Sequence, residues 1–129
     1  MTLALRAMTQ LTTWRDLTEA VPSCGTGRAL RSTGQEIAHF HTDWDVDLHL
    51  TARAVHRFEH DLRRSEVVRI IPGAAWVTLR LEADSDVNVL ITLVSLALQS
   101  HQTNPAPLDG RAPACNHGRR VAVRHEFSI

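Results

Sequence analysis

Between Leu3 and Glu19 the apolar residues Leu5, Met8, Leu11 and Trp14 recur every three positions, with Leu3 and Leu17 extending the set, and this spacing predicts a first helix. Val21-Pro22-Ser23-Cys24-Gly25-Thr26-Gly27 stops it, because proline and glycine both oppose helix continuation. Ser32-Thr33-Gly34-Gln35 reads as a turn that folds Ala29–Arg31 against Glu36–His41. From Glu36 to Leu50 polar and apolar residues alternate through two arms joined by a short polar turn, the pattern of a β-hairpin. Thr51 is a fair N-cap, and Val55, Phe58 and Leu62 follow it at helical intervals.

Val67–Ile71 is a short strand or an extended lead-in. Pro72-Gly73 then turns the chain into Ala75–Leu81, an alternating, β-rich strand. The acids of Glu82–Asp86 favour the start of a last helix whose inward stripe is Val87, Leu90, Ile91, Val94 and Leu98. Val89, Leu93 and Leu96 form a second apolar set, to be covered by a homodimer partner, the first helix or the tail. The expected fold is therefore α+β in the order α-β-β-β-α-β-α, an antiparallel sheet of about four strands with helices packed mainly on one face. Residues 1–101 are expected to form a single domain. Residues 102–129 are expected to be a flexible tail, with an edge strand available near 120–124.

A chain of 129 residues can bury one core unaided. Fourteen basic and fourteen acidic residues balance, and the basic ones, all arginine, are scattered, so neither nucleic acid nor a membrane surface is an expected partner. The start lacks a basic segment followed by a sustained apolar run, and Val87–Leu98 is shorter than the ~20 residues of a membrane span, which points to a cytoplasmic protein. Cys24 and Cys115 stand too far apart in sequence to read as a disulfide framework or a metal motif, and Asn116-His117 beside Cys115 adds no recognisable ligand spacing. Gly25-Thr26-Gly27 leads into a strand and so lacks the helix N-terminus a phosphate cradle needs.

The hairpin concentrates the candidate chemistry. Strand alternation puts His39 and His41 on one side with Ile37, and Ala38 and Phe40 on the other. In the second arm Val46, Leu48 and Leu50 oppose Asp45, Asp47 and His49. If both apolar sets face the helices, His39 and His41 share an open face with Asp45 and Asp47, and His39 or His41 lies near Asp47. His39, His41 and Asp47 are the candidate catalytic set, one imidazole acting as general base with Asp47 fixing its tautomer. Trp44 at the loop tip, Asp45 and His49 are candidate ligand-binding residues. No metal is the first expectation. The alternative is a divalent ion such as iron or zinc on His39, His41 and Asp47, since two strand histidines about 6 to 7 Å apart and a carboxylate can converge on one cation. A third reading makes the cluster structural, pinning the hairpin register.

Gln35-Glu36-Ile37-Ala38-His39-Phe40-His41, then Asp43, Val46-Asp47-Leu48, a helix, Gly73 with Trp76-Val77-Thr78-Leu79-Arg80 and a closing helix from Asp86-Val87 resemble the luciferase domain. That domain is named for the fungal luciferases and occurs in many small bacterial proteins; the resemblance covers roughly Leu11 to His101. It implies a small-molecule-binding surface. In the fungal members the activity is a cofactor-independent oxygenation of a hydroxypyrone luciferin. Trp44 stands where the family commonly has a loop glycine. The expectation is a luciferase-domain-like small-molecule-binding protein acting as an oxygenase or proton-transfer enzyme on an aromatic or enolic substrate. Its rival is a non-catalytic homodimeric or protein-interaction module.

Overall fold

A computed structural model of the chain describes residues 2–103 and 115–116. The elements run α1 (Leu3–Leu11), β1 (Thr18–Ala20), β2 (Arg28–Ser32), β3 (Gln35–Phe40), β4 (Asp45–His49), α2 (Ala52–Arg57), α3 (Glu59–Arg64), β5 (Val68–Ile70), β6 (Trp76–Arg80) and α4 (Asp84–Thr103). The strands form one antiparallel sheet in the order β1-β2-β3-β4-β6-β5. The α+β architecture is the expected one, with six strands rather than about four because β1 and β5 add an edge at each side.

The first helix is shorter than its apolar spacing predicts. Thr2 caps it by accepting from the Leu5 N–H at 3.1 Å, and Ala4, Ala7, Met8 and Leu11 form its buried stripe. Beyond Leu11 the Thr12 and Thr13 hydroxyls donate to the Thr9 and Gln10 carbonyls, closing the last turn with side-chain bonds. Trp14 and Leu17 therefore pack from a turn, and Thr18–Ala20 pairs with β2 as a strand.

One sheet face carries the core. Leu30, Ala38, Phe40, Val46, Leu48, Val77 and Leu79 lie in one apolar cluster with the inward residues of α1 and α4. Burying each large apolar side chain there contributes about 1.5–3 kcal/mol. The second apolar set of α4 is half-buried: Val89, Leu93 and Leu96 pack against the same core. Thr51 begins α2 in a left-handed conformation at φ 83°, uncommon for a β-branched residue, and is held by its cap bond to Ala54 N and a 2.8 Å bond to the Ser100 hydroxyl. The helix that follows breaks at Phe58 into α2 and α3.

In β3 the pairing with β2 passes from Leu30↔Ala38 to Arg31↔Glu36, so Ile37 is an extra residue. The bulge sends Ile37 into the core beside Ala38, correcting its expected place on the histidine face. The extra residue also brings Glu36 round to the face of His39, although three positions separate them.

Two residues of the expected tail are among those described. Cys115 and Asn116 are buried against the sheet, where the Asn116 amide donates to the Trp76 carbonyl and to the Thr78 hydroxyl, both at 3.1 Å. The edge strand expected near 120–124 lies outside the described residues.

At the end of α4, His101 Nε2 donates to the His49 carbonyl at 2.9 Å, and the two rings meet edge to face at 4.4 Å. Burial, with the neighbouring His101 adding to it, pushes His49 down to about 4, and burial lowers His101 as well. Both are held neutral in the fold, whereas the unfolded chain takes up protons below about 6.5. Stability should therefore be level above neutrality and fall as the pH drops from about 6.5 toward 4, by up to about 3 kcal/mol for His49 alone. Chemical denaturation across that range checks this, and His49→Gln should flatten the slope.

Gly27 sits at φ 84°, and a Cβ there would run into the Phe40 carbonyl oxygen. Gly27→Ala should destabilise the chain by more than about 1 kcal/mol in the same assay.

Candidate functional site

On the sheet face away from the core, register aligns Ala29, His39, Asp47, Thr78 and Arg69 in one row across five strands. His49 sits opposite Trp76 in the row to one side, and Asp45 opposite Arg80 in the row to the other. Of the two registers the sequence allowed, the one pairing His39 with Asp47 is present, and alternation along β4 puts Asp45, Asp47 and His49 together as expected.

The expectation that fails is openness. His39 and Asp47 are completely buried and His49 nearly so. Trp76 covers part of the face, its ring 4.6 Å from that of His39 and stacked on His49 at 4.8 Å. The loop carrying Cys24 and Thr26 covers the His39 and His41 end, and Cys115 completes the cover with Asn116. Further along, a groove of about 370 Å³ edged by Asp45, Arg69, Thr78 and Arg80 remains open on this face.

Within the cover the polar groups are paired in a definite order. Thr78 donates to one Asp47 oxygen at 2.6 Å, and the other accepts from His41 Nε2 at 3.1 Å. Since a carboxylate can only accept, Nε2 of His41 carries the proton. His41 Nδ1 faces the Thr26 carbonyl at 3.2 Å. Thus Asp47 stands opposite His39 in register yet holds His41 by hydrogen bond. His39 has its own carboxylate: Glu36 Oε1 lies 3.2 Å from its Nε2, and its Nδ1 faces Cys24 Sγ at 3.6 Å.

Burial pushes the His39 imidazole below its ordinary range, against the opposing pull of Glu36. Burial acts to raise Glu36, but the bonds from Ser23, whose N–H donates at 2.6 Å, together with the nearby His39 bring the carboxyl below its usual value. His49 is brought into the aromatic stack instead of the hydrogen-bonded cluster. Trp44 stays half exposed at the turn, where its carbonyl accepts from Leu81 N at 2.7 Å. The turn itself is held by the Thr42 hydroxyl, which accepts from Asp45 N at 2.9 Å.

Both cysteines belong to this site, which sequence spacing did not reveal. Cys24 Sγ is 3.9 Å from His41 Nδ1 and Cys115 Sγ is 3.7 Å from His41 Nε2. Cys24, His39, His41 and Cys115 each bring one ligand atom within 4.8 Å of all the others. The signal in the chain was the pair of histidines at i, i+2; nothing local tied either thiol to them.

Beside His41 opens a cleft of about 340 Å³ between α1 and the β3–β4 turn. Leu5, Met8 and Phe40 supply its apolar wall, and His41, Thr42 and Asp43 its polar end. This lies near the lower limit for small-molecule sites, about 300–1,000 Å³. Among the described residues no helix is long and apolar enough to cross a membrane.

Neither the curated proteins nor the solved structures contain a match to this chain. The family comparison does find one: residues 34–97 match the Luciferase domain. The matched stretch holds the bulge, His39, His41, Asp47 and β6, and leaves Cys24 and Cys115 outside it. The hairpin that carries the imidazoles and their carboxylates thus lies inside the matched stretch, and residues 34–97 are assigned to the luciferase-domain family.

Proposed function

We propose that this chain is a small-molecule-binding domain that takes a compact aromatic enol or phenol into the cleft at His41 and removes its acidic proton. One observation carries the reading. His41 borders the cleft, and its imidazole, almost wholly buried behind it, has Nε2 bonded to a buried aspartate that is itself held by Thr78. An imidazole whose Nε2 is fixed by a carboxylate has its tautomer set, which leaves Nδ1, at the Thr26 carbonyl, as the basic nitrogen.

The proton passes from the ligand hydroxyl to His41 Nδ1, where the Thr26 carbonyl is placed to accept it in a hydrogen bond. The product is an enolate beside an imidazolium whose two N–H groups both have oxygen partners. Leu5 and Met8 on α1 and Phe40 on β3 hold the ring of the ligand by apolar contact. The resemblance to the fungal enzymes supports an enolic substrate, and oxygenation of the enolate is the further step it suggests.

Titration calorimetry with a hydroxypyrone and with its methyl ether tests the reading. The wild-type chain should prefer the acidic compound, and His41→Ala should weaken binding of that compound by about tenfold, or ~1.4 kcal/mol, while leaving the ether unchanged. An equal loss for both compounds, or no binding of hydroxypyrones and phenols by the wild type, sinks the proposal.

A further inference from the structure

We propose that Cys24, His39 and Cys115 bind a single zinc-class divalent ion on the buried face of the sheet, with the fourth coordination position open beside His41. This goes beyond the acid–base reading of the site, and its thiol ligands lie outside the stretch that matches the family.

The donor set is the first argument. Two thiolates and an imidazole are ligands for a borderline-soft ion such as Zn²⁺, and three protein ligands with one open position is the pattern of reactive zinc sites. Spacing is the second. Zn–S and Zn–N bonds of about 2.3 and 2.0–2.1 Å at a tetrahedral angle put sulfur and nitrogen about 3.5 Å apart, and Cys24 Sγ lies 3.6 Å from His39 Nδ1. Cys115 Sγ is within 4.8 Å of both ligand atoms, and neither cysteine is in a disulfide.

Orientation is the third argument and the most specific. A ligating histidine ordinarily gives its other ring N–H to a carboxylate, which fixes the ring and leaves the ligating nitrogen bare. Cys24 lies at His39 Nδ1, and Glu36 stands 3.2 Å from the ring's other nitrogen, Nε2, at ion-pair distance though short of hydrogen-bond geometry. It reaches that position only because the Ile37 bulge turns residues three apart onto one face. Glu36 is in turn held by the Ser23 N–H, one residue before the first thiol ligand.

His41 differs. Its Nε2 bonds to Asp47 and its Nδ1 faces the Thr26 carbonyl, so both nitrogens already have oxygen partners at 3.1 and 3.2 Å. It therefore stands at the open corner as a neighbour of the ion. Binding releases the two thiol protons, and the open position takes a water or, if the small-molecule reading holds, the oxygen of the bound enolate.

The test uses the full chain with any affinity tag removed, purified under reducing conditions, stripped with chelator and reloaded with Zn²⁺ or Co²⁺. Mass spectrometry of the metal should find about one ion per chain, and Co²⁺ should give a thiolate-to-cobalt charge-transfer band. Cys115→Ala and His39→Ala should each lose the ion, whereas His41→Ala should keep it. Should the ligand variants fail to fold, Glu36→Gln decides, with metal affinity expected to drop about ten- to a hundredfold in a folded protein. No bound ion, a Cys24–Cys115 disulfide in its place, a cobalt spectrum lacking the thiolate band, unchanged affinity in Glu36→Gln, or loss of the ion in His41→Ala overturns the proposal. Cobalt bound without any enol binding supports this site and sinks the small-molecule reading; enol binding by a chain that takes no ion does the reverse.

Discussion

One inserted residue governs the polar face of this sheet. A regular strand would put Ile37 beside His39 and turn Glu36 away, leaving a leucine-sized apolar group among the polar ones and the imidazole without its carboxylate. With Ile37 as a bulge, the core gains both Ile37 and Ala38, and the opposite face gains an acid exactly one bulge away from its histidine. Downstream, alternation resumes unchanged, so Phe40 and Val46 stay inward while His39 meets Asp47 across the strand pair. The cost of a broken ladder step is met by the burial on the other side.

What surrounds the two imidazoles follows from that placement. Each has a carboxylate against its Nε2 edge, Glu36 for His39 and Asp47 for His41, and each has Cys24 on its Nδ1 side. The matching arrangement arises from different parts of the chain, one acid from the same strand and one from the next. The buried Asp47 is tolerable because Thr78 and His41 are buried with it and hydrogen-bond to it, whereas His39 Nε2 is left without a hydrogen bond.

Much of this was legible in the residues. Alternation through Glu36–Leu50 was enough to predict the hairpin, and the requirement that two apolar sets face one core was enough to put His39 and His41 on the face of Asp47, with the choice of register between them left open. Thr51 as a cap and the stripe of α4 were readable because capping and helical periodicity are local. The misses are non-local. Trp14 and Leu17 kept helical spacing past the point where threonine hydroxyls had closed the helix. The bulge at Ile37 carries no glycine or other marker. The face was read as open because the strands' own polarity says nothing of Trp76, Cys24 or Cys115, which reach it from other elements. The family resemblance, carried by the hairpin and β6, could not reveal cysteines that lie outside the matched stretch.

The Thr78 hydroxyl accepts from Asn116 and donates to Asp47, which holds His41. A hydroxyl that is already accepting a hydrogen bond is a better donor, so the Asn116 amide polarises the aspartate two bonds away. The distant end of the chain and the cleft are thereby joined through a single oxygen atom. Cys115 precedes Asn116 and meets His41, so these two residues complete the polar centre together: without them the hairpin has its core but not its finished site.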